Sequence, residues 1–168
     1  WYSVPENNWQ GNWSENTAYG SSLNRDIASE KKANEKYNDT WRYGGGSVWT
    51  TPAIDAELGL IYIGTGNPSP QMDDSTRPGD NLYTVSLVAL DINTGKLRWH
   101  YQQVPHDRWG YDVASPPVLF DLKQDGITIK AVGQASKLGW FFIHNRNTGE
   151  LIRKSEPFIR QENYFARP

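Results

Sequence analysis

Three short stretches and one lysine carry the side chains that could do chemistry: Gly44-Gly45-Gly46-Ser47-Val48-Trp49, Gly64-Thr65-Gly66-Asn67, His106-Asp107-Arg108-Trp109-Gly110-Tyr111-Asp112, and Lys137. Carboxylates such as Asp107 and Asp112 take protons or bind hard cations. If the last stretch is extended, positions 110 and 112 face one side about 6.5 Å apart, and Asp107 points the other way. Asp107 then reads as a structural hydrogen-bonder in a turn, and His106 as a packed or turn histidine. Each of the others also has an ordinary reading when taken alone. Asn67 after Thr-Gly is a turn residue, Lys137 a surface lysine, and Trp49 a core tryptophan beside a tight turn. A hard cation takes about six to eight oxygens, so Asn67 supplies only a fraction of a shell.

Composition limits what such residues can serve. The 168 residues are about one domain's worth of chain, with 8 Trp, 9 Tyr and 5 Phe to pack or stack. A net charge of −2 lacks the basic field that draws nucleic acid or anionic membranes, so nucleic acid is not expected as a partner. The absence of cysteine excludes disulfides, thiolate metal sites and a cysteine nucleophile. No run approaches the ~18 consecutive apolar residues of a membrane span. A chain running from Trp1 to Pro168 without an initial Met or a signal peptide is expected to be a piece of something longer.

The elements that must position these residues fall into two regions. Residues 1–24, rich in Asn, Ser, Gly and Trp, lack either hydrophobic period and read as an irregular excursion. Its three Trp read as pegs pinning a loop rather than as sugar-stacking platforms. One short exposed helix is expected over Asn24–Asp39, with Ile27, Ala33 and Tyr37 on its apolar side. From Gly44 the texture changes to short β-rich runs: 48–54, 60–64, 83–90, 96–101, 118–122, 127–132, 140–144 and 150–153. Strands so spaced imply antiparallel sheets in a sandwich, a barrel or propeller blades.

A repeat chooses among these. Ala89, Asp91, Thr94-Gly95 and Trp99 stand at fixed offsets that Ile143, Asn145 and Thr148-Gly149 echo, and Asp55 to Gly59 is a looser third copy. Each is a hairpin whose glycine supplies positive φ, with the Trp docking between adjacent sheets. One such unit repeated at about 40 to 55 residues marks a propeller. The fold class is therefore all-β: a partial β-propeller of about two to three antiparallel blades with tryptophan-docking motifs, plus one short surface helix.

The Ala89–Trp99 segment resembles the tryptophan-docking motif of the pyrroloquinoline quinone (PQQ)-dependent alcohol and sugar dehydrogenases, which are eight-bladed propellers. Gly44 to Trp49, Ile61 to Pro68, Arg77-Pro78-Gly79-Asp80-Asn81 and Pro105 to Trp109 follow in that family's order over 41–154. The resemblance implies an insertion over 1–40 and part of a PQQ-binding propeller over 41–168, the rest of the propeller lying outside this chain. It implies that Trp49 floors the planar cofactor, that Ser47 hydrogen-bonds it, and that Lys137 meets the quinone oxygen, stabilising its charge on reduction. Asn67 matches a ligand for Ca²⁺ or a lanthanide. Asp112 falls where lanthanide-using and several other members carry an Asp, so it is a candidate metal ligand or displaced base. In the family the general base follows directly after Trp109, and here that position is Gly110, which cannot accept a proton.

The activity so implied is periplasmic oxidation of a small alcohol or sugar alcohol by hydride transfer to the quinone, with electrons passing to cytochrome c or a quinone. A non-catalytic PQQ-binding propeller and a carbohydrate-binding or assembly scaffold are the competing readings. A few blades leave sheet edges open, so the chain alone is expected to fold poorly and to bind PQQ weakly.

Overall fold

The computed structural model describes residues 1–159. It holds two four-stranded antiparallel sheets, ordered β1-β2-β3-β4 and β5-β6-β7-β8. The strands are β1 Ala53–Asp55, β2 Leu60–Gly64, β3 Ser86–Asp91, β4 Leu97–Gln102, β5 Val118–Gln124, β6 Ile127–Ala135, β7 Phe141–Asn145 and β8 Leu151–Lys154. The blades therefore number two among the described residues. Residues 160–168 of the expected propeller region lie outside them.

The repeat works through its turns. Oδ1 of Asp55 accepts the Glu57 and Leu58 amides, that of Asp91 the Asn93 and Thr94 amides, and that of Asn145 the Asn147 and Thr148 amides. Gly59, Gly95 and Gly149 then close the turns at φ of +64°, +66° and +78°. Both full copies also carry a register shift one step earlier, at Ala89/Leu90 and Ile143/His144.

Trp99 is 8% exposed and seated between the sheets. It packs with Leu60, Tyr62, Leu87, Ala89 and Val132, and its Nε1–H donates to the Arg146 carbonyl of the β7–β8 turn at 3.0 Å. The indole lies against Gly149, where a Cβ would come within 2.6 Å of the ring. Arg146 also bridges the blades, pairing with Asp55 at 3.1 Å and Asp121 at 3.0 Å. A second cluster of Val85, Tyr101, Val104, Val113, Leu138 and Phe142 continues the core beneath the excursion, which contributes Leu23 and Tyr19.

Two strands begin later than the β pattern suggests. Residues 48–52 stay outside β1 because the preceding segment is bonded to a loop, with the Gly46 amide on Asn67 O and the Gly66 amide on Ser47 O. β3 starts at Ser86 rather than near Tyr83 because Thr84 donates to Asn81 O in a turn and Val85 takes φ +49°. The helix is likewise shorter, α1 running Ile27–Asn34 with Asp26 capping the Ser29 amide. Arg25, just before it, is drawn into a buried ion pair instead. Trp9 is a fully buried peg, as expected of that region. No helix among the described residues is long and apolar enough to cross a membrane.

Candidate functional site

Four segments converge beside β2. The 44–47 stretch runs along 66–68 through the two bonds above and a bridge between Gly45 and Pro68. The stretch after Gly110 joins from the other side, the Val113 amide donating to Thr65 O at 3.0 Å and the Asn67 amide to Asp112 Oδ1 at 2.7 Å. Gly66 lies at the seam. A Cβ there would stand 3.0 Å from Asp112 Oδ1 and 3.1 Å from Ser47 Oγ. Lys137, in the β6–β7 connection, completes the group: its Nζ lies 2.8 Å from Asp112 Oδ2 and 2.7 Å from Gly110 O.

Ser47, Asn67, Gly110, Asp112 and Lys137 are thus brought together around one glycine. Asn67 uses its side-chain nitrogen on Pro68 O at 2.8 Å, which leaves the carbonyl oxygen as the end available to a cation. Asp112 engages both oxygens, each retaining a second lone pair. Trp49 stands two residues beyond Ser47 with 58% of its surface exposed, so it is not a core tryptophan. Gly110 takes φ +78°, a bend rather than a plain extended stretch, yet one Nζ still meets both the 110 carbonyl and the 112 carboxylate.

Asp107 builds the bend. Its buried carboxylate accepts the amides of Trp109, Gly110 and Tyr111 at 2.9, 3.1 and 2.9 Å. Burial pushes its carboxyl up from the usual range, with those amides opposing the shift. His106 is packed as well, Nδ1 on Gly79 O at 2.7 Å and Nε2 on Asp74 at 3.0 Å. That hydrogen bond, with the His106 and Arg108 charges behind it, holds Asp74 down at about 2 against burial.

Sequence reasoning left Arg77 and Asp80 without roles. The fully buried Arg77 guanidinium donates to the carbonyls of Pro70, Gln71 and Asp107 and to Asn81 Oδ1, fixing the 70–77 loop to the bend. Burial lowers its pKa to about 10. Asp80 accepts the Asn12 and Ser14 amides, the Ser14 hydroxyl and Arg25, and so anchors the excursion. Both residues stand in the quoted Arg77–Asn81 motif, and a charge at each end of a Pro-Gly turn was the available signal.

Chemically, the cluster sets a cation beside clustered oxygens. Among the described residues no group of three or more acidic or His side chains is placed to hold a metal ion. Asn67 and Asp112 together could therefore furnish part of a hard cation's shell, and Lys137 suits an anionic oxygen.

The sequence model of the β-propeller domain of PQQ-dependent glucose, ethanol and alcohol dehydrogenases matches residues 21–157. The chain belongs to this PQQ dehydrogenase family. A quinohemoprotein alcohol dehydrogenase of Comamonas testosteroni is 46% identical over 111 residues, 65% of this chain and 16% of that protein. The quinoprotein alcohol dehydrogenase PedH of Pseudomonas putida is 36% identical over 140 residues, 83% of this chain and 23% of that protein. Among solved structures, a europium-containing methanol dehydrogenase superposes with TM-score 0.69 at 34% identity, covering 73% of this chain and 21% of that one. The chain thus spans about a fifth of the length of its relatives. The partial propeller and the quinoprotein resemblance both stand.

Proposed function

We propose that this chain forms part of the cofactor face of a periplasmic PQQ-dependent dehydrogenase that oxidises a primary or secondary alcohol or a sugar alcohol, passing electrons to cytochrome c or a quinone. The observation that carries the reading is the convergence of Ser47, Asn67, Asp112 and Lys137 around Gly66. Bound PQQ supplies a hydride acceptor for the alcohol carbon while the hydroxyl proton goes to a carboxylate. Trp49 offers an exposed flat face for the cofactor plane, and Ser47 a hydroxyl. Lys137 would stabilise charge on a quinone oxygen as it gains electrons. Asn67 Oδ1 and Asp112 would contribute oxygens to Ca²⁺ or a lanthanide, the other ligands coming from elsewhere. Asp112 is the nearest carboxylate in sequence to the base position.

Gly110 favours a second reading, a propeller that binds PQQ without ordinary turnover. Burial removes Trp9 from any sugar-binding face built on the excursion, where Trp1 and Trp13 are half-buried. Titration of the intact apo-protein with PQQ plus Ca²⁺ or La³⁺, followed by indole fluorescence, tests the shared part of both. Saturable quenching that Trp49→Ala removes is expected. No PQQ binding with either metal defeats the reading.

A further inference from the structure

The space that a side chain at position 110 would take is already filled. A Cβ built on Gly110 collides with Nε2 of Gln71, with Cδ at 3.2 Å and Cγ at 3.8 Å. Only the far end of that side chain is in the way, and it arrives from a different loop. The loop is held in place: Arg77 binds the backbone carbonyls of Pro70 and Gln71 and also that of Asp107, so one buried guanidinium sets Gln71 against the bend that presents Gly110. Gln71 and its neighbour Met72 are exposed, so the carboxamide lies in an open wall and not in the core. Gly110 O meets Lys137, which pairs with Asp112, so the residue that the carboxamide lies against is itself part of the proposed alcohol site.

We propose that Gln71 is a specificity-determining residue of that site, its carboxamide occupying the side-chain space at Gly110 and hydrogen-bonding a hydroxyl of a polyhydroxylated alcohol. The inference rests on the alcohol-oxidation reading above. An amide neither takes up nor releases a proton at working pH, so Gln71 positions the substrate and is no replacement for the missing base. A carboxamide offers two donors and an acceptor, which suits a substrate with a second hydroxyl and brings nothing to one without it.

Two measurements on the intact protein test this. In the first, kcat/KM is compared for 1,2-propanediol and 1-propanol. Gln71→Ala is expected to lower the diol-to-monoalcohol ratio about five- to tenfold through KM, the size of one neutral hydrogen bond, and Gln71→Asn to leave it partly restored. The second, on apo-protein, needs no turnover. Gly110→Ala is expected to lower Tm, chiefly through its left-handed backbone, and the smaller part that comes from the collision should vanish in the Gly110→Ala/Gln71→Ala double variant. Additive Tm losses overturn the juxtaposition. An unchanged ratio in a protein that oxidises both alcohols overturns the specificity role alone. Wild type that oxidises neither these alcohols nor a sugar alcohol overturns the alcohol reading and the Gln71 role together, and the Tm cycle then reports the geometry by itself.

Discussion

Replacing Asp80 by Ala should release the excursion while leaving the second blade intact. Asp80 accepts from Asn12 N at 2.9 Å, Ser14 N at 2.8 Å, Ser14 Oγ at 2.9 Å and Arg25 at 2.6 Å. The Arg25 side chain is 2% exposed, and its remaining ion-pair partner is Glu30. Because Arg25 keeps Glu30, losing Asp80 costs less than the about 3–5 kcal/mol of an uncompensated buried charge, and each donor left unpaired adds about 1 kcal/mol or more before water relieves it. A local loss of about 4–6 kcal/mol follows, equivalent to at least about a thousandfold in the opening equilibrium. Hydrogen exchange on peptides covering residues 9–30 reads this directly, with peptides from the β5–β6 hairpin as internal reference. Asp80→Asn, which keeps the shape and one acceptor, should fall between. Protection within about twofold of wild type over 9–30 would refute the anchoring role.

Gly149→Ala should destabilise the blade interface by about 2–4 kcal/mol in denaturant unfolding, because the new Cβ meets the Trp99 ring and the residue sits at φ +78°. Trp99→Phe, which removes the bond to Arg146 O and part of the ring, should cost about 1–2 kcal/mol. Burial depresses His144 to about 4, below its unfolded value, so the unfolded chain binds more protons between those limits. Stability should be full above about pH 6.5 and fall by about 2 kcal/mol at pH 5, and His144→Leu should flatten that slope. Asp112→Asn, assayed with each metal, should abolish La³⁺-dependent oxidation while sparing Ca²⁺-dependent oxidation if Asp112 is chiefly a lanthanide ligand.

Much of the frame was legible because hairpin turns carry their own signals. Asp55, Asp91 and Asn145 each sit four residues before a glycine, and all three form the same side-chain-capped turn. The Trp99 seat followed from the same repeat. Starts of β1 and β3 were less readable, since the 48–54 run follows Gly46 and Ser47, which bond to Asn67 and Gly66, and Val85 likewise bonds to Gly66. The members of the candidate site were nameable one by one. Their mutual geometry was not, because the Lys137–Asp112 pair and the Asn67–Asp112 bond join segments whose approach depends on how two sheets pack. Gln71 carried no local sign at all. The glycine at 110 marked a missing carboxylate, but nothing in the sequence says that a distant side chain lies against it.

The most direct test is dye-linked alcohol oxidation by the intact protein with PQQ bound, comparing wild type and Gly110→Asp with Ca²⁺ and with La³⁺. The substitution strains a left-handed backbone by about 1–2 kcal/mol and requires the Gln71 amide to swing aside, both within reach of a folded protein. Weak wild-type turnover is expected, with a kcat gain of about 10²–10⁴-fold in Gly110→Asp and little change in PQQ affinity. Ordinary wild-type rates together with no gain in the variant would contradict an alcohol site that holds its cofactor and metal but lacks its base.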